Sequence, residues 1–233
     1  MAKNDYDNPY HRVGLRRNPF LARQDLYLNG DRWCDFGYSV PSLTNSPQFI
    51  QFLGVKGAGK TAHLRRWQQA TGGIYYYHHP WDWHTLPPAI PDPHGVKITY
   101  WDEANRIPLP FLLWSLHQAH HHQLTVVVGS HFNLAAIACL IGFPVQTYLL
   151  QSLTLPQLNH WITRQFQAEL LPRRSPTQVA AFKQLQQQLT EPVLTDIIQH
   201  SNGSWRQAGS LLHRWLAQHL LRDPFINPDL WDA

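Results

Sequence analysis

The eight residues Gly54-Val55-Lys56-Gly57-Ala58-Gly59-Lys60-Thr61 narrow the choice of fold more than any other stretch of the chain. Glycine at the first and sixth places, then lysine and a hydroxyl residue, is the pattern of a phosphate-binding loop. The glycines let backbone N–H groups close around phosphate oxygens. Lys60 sets a positive charge at the β- and γ-phosphates, and the Thr61 hydroxyl is a suitable oxygen ligand for Mg²⁺. Such a loop needs a strand before it and a helix after it. Residues 48–53 are a short apolar run, and residues 61–70 have helical composition and spacing, so the context is met.

The remaining patterning extends this unit into an alternating α/β chain. Residues 73–78 and 96–101 read as strands, 109–122 as a helix, 124–128 as a fully buried strand, 133–141 as a helix and 145–150 as a strand. Strands alternating with helices predict a parallel sheet covered on both faces. Between the second and third strands, residues 80–95 hold five prolines and exclude a regular helix. From residue 155 the pattern becomes helical only, over 156–170, 177–189, 192–200 and 204–221. The expected fold class is therefore α/β, a P-loop parallel sheet flanked by helices and followed by a small all-helical lid domain. The expected boundaries are an irregular arm over 1–45, a nucleotide-binding core over 46–152, the lid over 153–223 and a tail over 224–233.

The third strand ends on Asp102 and Glu103. Ligands of open α/β sheets sit at the carboxyl ends of the strands, which would aim both acids at the phosphates. Asp102 would then hold Mg²⁺ through water, and Glu103 would polarise the attacking water. The competing reading, a charge pair at a helix N-terminus, loses weight downstream of a complete P-loop. Ser130 and His131 follow the next strand at the same edge, where either would contact the γ-phosphate or merely form the turn before the helix near Asn133. Arg206 opens the last helix. If Ser204, Leu211, Leu212 and Trp215 form its apolar face, Arg206 is left to reach a nucleotide or to remain a solvated arginine.

Composition limits the setting. Of 233 residues only 15% are charged, against about 25% in an average soluble domain, and the formal net charge is +4. That balance is compatible with phosphate-rich partners without requiring them. Two cysteines, Cys34 and Cys139, cannot make a disulfide framework or a four-thiolate zinc site. Residues 1–5 lack the apolar core of a secretory leader, and the apolar stretches 109–116 and 134–145 are shorter than the about 20 residues that span a bilayer. A cytoplasmic protein without membrane insertion is expected. His117, His120, His121 and His122 have helical neighbour spacing but no nearby acid, so they read as a polar helix end. Trp81, Trp83 and Trp101 read as clamps on the prolines.

Taken in order, the P-loop, the Asp-Glu strand, the polar residue after the next strand and the helical segment carrying an arginine resemble the AAA+ superfamily. Within it, Gly14-Leu15-Arg16-Arg17-Asn18-Pro19-Phe20 is similar to the opening of the secretion-associated and transposition-accessory ATPases. Residues 153–162 resemble their first lid helix, and Gly203-Ser204-Trp205-Arg206 resembles their second sensor. The resemblance implies ATP and ADP as ligands, Mg²⁺ as cofactor, hydrolysis by Glu103 with Lys60, Ser130 and Arg206, and a protein partner. It leaves open direct contact with DNA and assembly with further copies of the chain. One departure stands out: no Lys or Arg occurs between Arg106 and Arg164, where such ATPases carry the arginine finger for a neighbouring subunit. Arg106 or an N-terminal arginine would have to substitute. The alternative is a slow or non-hydrolysing nucleotide-dependent adaptor.

Overall fold

Val126, Val127 and Val128 make a strand that no solvent reaches, so it must lie inside a sheet covered on both faces. The structure, a computed structural model, places it there. It describes residues 8–20, 32, 34, 37–38, 46–80 and 94–221. The proline-rich stretch 81–93 with Trp81 and Trp83, the tail from residue 222, residues 1–7 and most of 21–45 lie outside the described residues.

Five described strands form one parallel sheet: β1 (Phe49–Leu53), β2 (Ile74–Tyr77), β3 (Ile98–Asp102), β4 (Thr125–Ser130) and β5 (Val145–Leu149), in the order β2-β3-β4-β1-β5. α1 (Lys60–Thr71), α2 (Leu109–His121) and α3 (Ala135–Ile141) connect them. The alternation of side chains along each strand sorts the core into two layers. Phe49, Trp101, Val126 and Val128 pack with Leu112, Leu116 and Ala138 of α2 and α3. Ile50, Phe52, Ile98, Tyr100 and Val127 pack with Leu64 and Trp67 of α1. The edge strands β2 and β5 are half-buried or exposed along their length, as their position dictates.

Gln51 is a polar residue buried in β1, where an unsatisfied amide would be costly. Its Nε2 donates to Asn133 Oδ1 at 2.7 Å and Thr147 Oγ1 at 2.8 Å, and its Oε1 accepts from Leu134 N at 3.0 Å. One side chain thereby ties β1 to β5 and to the start of α3.

The chain divides into two compact units, 35–152 with the sheet, and 1–34 together with 153–233. The second unit holds α4 (Leu155–Glu169), α5 (Pro176–Gln188), α6 (Glu191–Ser201) and α7 (Trp205–Leu221). Capping chemistry sets their starts. Ser175 accepts from Gln178 N while Gln178 Oε1 accepts from Ser175 N, and Gln157 does the same for Thr154 N. The buried stripe of α7 is Ala208, Gly209, Leu212 and Leu216, whereas Leu211 and Trp215, expected on that face, are only half-buried.

Residues 8–20, the described stretch before the sheet, contain local order. Pro9–Val13 forms a 3₁₀ turn ended by Gly14 at φ 69°. Leu15 then bridges antiparallel to Leu170, Arg16 N donates to Glu169 O at 2.8 Å, and Leu171 N donates to Gly14 O at 2.9 Å. Phe20 packs against Trp161 and Phe166 of α4. Buried Glu169 pairs with Arg17 and with buried Arg32, which also meets Gln165. A carboxylate removed from water needs such partners. These residues belong to the helical unit.

The expected α/β class holds, with a P-loop parallel sheet flanked by helices and a helical region after it.

Candidate active site

The glycines of the loop do the work the pattern predicts of them. Gly57 and Gly59 adopt φ 83° and 99°, left-handed values that side chains rarely tolerate, and Gly59 caps α1. Gly54 runs so close to the residue after β5 that an added Cβ would lie 3.1 Å from Leu150 Cβ. The loop thus lies at the carboxyl ends of β1, β4 and β5, with the amides of the first turn of α1 at its mouth. Such a helix start favours an anion. Lys60 is buried, and its ammonium donates to Gly54 O at 2.8 Å and Val55 O at 3.0 Å. Val55 and Lys56 are exposed on the outer rim of the loop.

Asp102, the last residue of β3, is fully buried. Its Oδ2 accepts from Tyr75 Oη at 2.7 Å, its Oδ1 accepts from Glu103 N at 3.0 Å, and the Thr61 hydroxyl also bonds to it. Burial pushes its carboxyl above the ordinary carboxylate range. The hydrogen bonds from Tyr75 and Thr61 pull it down, and the charge of Glu103 adds to the rise. Burial, with the same carboxylate beside it, keeps the Tyr75 phenol protonated as the donor. Arg65 lies over the Tyr75 ring at 3.3 Å. Gly129 makes room for all of this, since a Cβ there would stand 2.9 Å from Asp102 Oδ1 and 3.4 Å from Lys60 Cβ. The hard oxygens of Asp102 and Thr61 fit a divalent cation such as Mg²⁺, whose charge would offset the desolvation of the carboxylate.

Glu103 follows in the left-handed region at φ 58°, uncommon for a residue with a side chain, and turns the chain into the short 3₁₀ helix Ala104–Arg106. Its Oε2 lies 3.3 Å from Arg106 Nη2 and 3.5 Å from His131 Nε2, yet forms no directed hydrogen bond. These are close charge contacts rather than aligned hydrogen bonds. The His131 ring also stands 3.4 Å from Lys60 Nζ, and its backbone N donates to Asn105 Oδ1 at 3.1 Å. Lys60, His131 and Glu103 therefore adjoin one another at one sheet edge.

Ser130 is placed differently from its neighbour. Its buried hydroxyl donates to Phe132 O at 2.7 Å and accepts from Phe132 N at 3.1 Å, closing the turn after β4. Of the two polar residues at this strand end, His131 is the one whose ring meets Lys60 and Glu103. Arg206 is exposed in the first turn of α7, in the helical unit. Tyr75, Asn105 and Gly129 were not singled out by the sequence reading. Tyr75-Tyr76-Tyr77 in an alternating strand signals that one tyrosine face points at the sheet edge, but which face depends on the register Tyr75↔Tyr100 and Tyr77↔Asp102.

No protein-family profile matches the chain, and no curated protein sequence matches it. Among solved structures it is similar to a variant of RuvB from Thermotoga maritima, at 16% identity and a TM-score of 0.47. That similarity covers 78% of this chain and 59% of the RuvB chain, so this chain spans under two thirds of the RuvB length. The P-loop fold is established instead by the chain's own parallel sheet and by the loop between β1 and α1. No helix among the described residues is long and apolar enough to cross a membrane.

Proposed function

We propose that the chain is an ATP-binding ATPase of the AAA+ type that couples nucleotide state to a protein partner or to DNA, akin to the transposition-accessory and secretion-associated group. The observation that carries this is the meeting of Lys60, the Asp102–Thr61 pair and Glu103 at one sheet edge around a glycine loop. Backbone amides of 57–61 and the Lys60 ammonium bind the phosphates. Asp102 and Thr61 would hold Mg²⁺, which when bound would supply charge neutralisation for the phosphates.

Glu103 orients a water in line with the γ-phosphorus and accepts its proton as the oxygen–phosphorus bond forms. The bond to the bridging oxygen breaks, and ADP leaves with that electron pair. Lys60 stabilises the charge that develops on the transferred group, with Arg206 of the same chain as a further donor. Ser130 supports the edge by fixing the turn that presents His131.

A second reading, a slow nucleotide-dependent switch or adaptor, is favoured by one feature: no Lys or Arg occurs from Ile107 to Thr163. The experiment that decides is direct. Binding of a fluorescent ATP analogue with and without Mg²⁺, followed by phosphate release in a single turnover, separates an ATPase from a binder. Absence of Mg²⁺-dependent nucleotide binding in the folded chain ends both readings.

A further inference from the structure

Arg106 is the residue that the sequence offers as a substitute for a trans-acting arginine, and its contacts point elsewhere. Backbone geometry puts it over Glu103. The turn closes with Arg106 N donating to Glu103 O at 2.9 Å, so the two side chains stand three residues apart on one face of a single turn. The guanidinium is then held from two sides. Nη1 donates to Tyr77 Oη at 3.1 Å and to His78 O at 3.0 Å, while Nη2 faces Glu103 Oε2 at 3.3 Å. Arg106 is 28% exposed and Glu103 15%.

We infer that Arg106 is a positioning residue for Glu103 within the same chain, holding the carboxylate at the carboxyl edge of β3 by means of the end of β2. The planar fork of arginine suits this task, because one nitrogen serves Tyr77 and the His78 carbonyl while the other faces the carboxylate. The contact with Glu103 is the looser one. Oε2 lies within charge range of two cationic or potentially cationic groups, Arg106 and His131, and forms a directed bond with neither. The carboxylate is steered without having its lone pairs consumed, which suits a group that must accept a proton from water. Delivery of Arg106 to another subunit's phosphate would require Tyr77, His78 and Glu103 all to be released. Glu103 itself sits in the left-handed backbone region, a conformation uncommon for a residue with a side chain.

The inference rests on the reading of Glu103 as the water-polarising group, and the test separates the two. Nucleotide affinity and single-turnover hydrolysis are measured for the parent, Arg106→Ala, Arg106→Lys and Tyr77→Phe. Misplacement of a catalytic group by about an ångström costs up to about 100-fold in rate. Arg106→Ala is therefore expected to lose about 10- to 100-fold in kcat with unchanged ATP affinity. Arg106→Lys, which keeps the charge but not the fork, falls between, and Tyr77→Phe loses less than Arg106→Ala. Millimolar guanidinium restores part of the Arg106→Ala rate, which a merely structural role would not show.

Mixing Arg106→Ala with Lys60→Ala is the decisive arm. A trans-acting arginine restores turnover in the mixture, because the Lys60→Ala chain brings Arg106 to an intact site. A cis positioning residue restores none. Recovery on mixing, or an Arg106→Ala rate equal to the parent's, overturns the inference while leaving the ATPase intact. A parent that binds ATP without any turnover overturns the inference and leaves the adaptor reading. A parent that binds no nucleotide ends both.

Discussion

Replacing Gly129 by alanine adds one methyl group at the most crowded point of the site. The new Cβ would stand 2.9 Å from Asp102 Oδ1, 3.0 Å from Leu64 Cδ1 and 3.4 Å from Lys60 Cβ. Ordinary contact begins near 3.4 Å, so the first two neighbours must each retreat by about 0.4–0.5 Å. Leu64 is fully buried against Phe52 and Trp67, and Asp102 is pinned by Tyr75, Thr61 and the Glu103 amide. Overpacking of this kind costs about 1–3 kcal/mol. The lower unfolded-state entropy of alanine returns about 0.4–1 kcal/mol. The net loss is about 1–2 kcal/mol, equivalent to a fall in Tm of roughly 2–8 °C for a chain of this size. Because the carboxylate is the proposed Mg²⁺ anchor, its displacement should raise the Mg²⁺ concentration needed for ATP binding about 10-fold, the equivalent of 1.4 kcal/mol. Thermal melts with and without Mg-ATP, together with a Mg²⁺ titration of nucleotide binding, measure both effects. A folded Gly129→Ala protein with parental Tm and parental Mg²⁺ requirement would refute the account of how β3, β4 and the loop fit together. A stability loss alone would show that Leu64 yields and Asp102 does not.

Lys60→Ala should abolish or greatly weaken ATP binding while leaving the fold intact, checked by calorimetry and circular dichroism, since its ammonium meets loop carbonyls and not apolar core. In Glu103→Gln, binding should persist and turnover vanish, because an amide of the same shape accepts a proton poorly; equal turnover in mutant and parent removes Glu103 from the mechanism. Tyr75→Phe should raise the Mg²⁺ requirement about 10-fold, the low end for a residue that orients a metal ligand, with a titration of phosphate release as the assay. Arg206→Ala should lower turnover. Parental turnover should be slow and rise little with protein concentration; a steep rise that disappears in Arg106→Ala would restore an ordinary self-activating ring.

The sheet and its helices were legible because burial imposes periodicity. The uninterrupted Val126-Val127-Val128 run, the loop glycines and the proline starts of α4 to α6 are all local signals. Their predicted spans agree with the structure to within a few residues. The residues that complete the site were not local. Tyr75 meets Asp102 only because β2 lies beside β3 in one register, and Gly129 meets it only because β4 lies on the other side of β3. Arg106 appeared in the sequence as a substitute for a missing arginine; the turn geometry that aims it at Glu103 depends on a backbone conformation no composition reveals. The misread face of α7 has a related cause. Small residues Ala208 and Gly209 line its buried stripe, and a search for large apolar side chains passes over them.

The pairing of Leu15 with Leu170 has a consequence for synthesis. In chain order the sheet is a guest within the helical unit, whose two pieces are separated by the whole of residues 35–152. On the ribosome, Leu15 and Phe20, both buried in the finished protein, emerge before the sheet and wait until residues 153–221 follow. Apolar surface left waiting in this way favours misassociation. A fragment beginning at Leu153 would carry four helices without the residues they cover, whereas the sheet is contiguous. A substitution at Leu15 or Phe20 therefore affects the last unit to be completed, not the first.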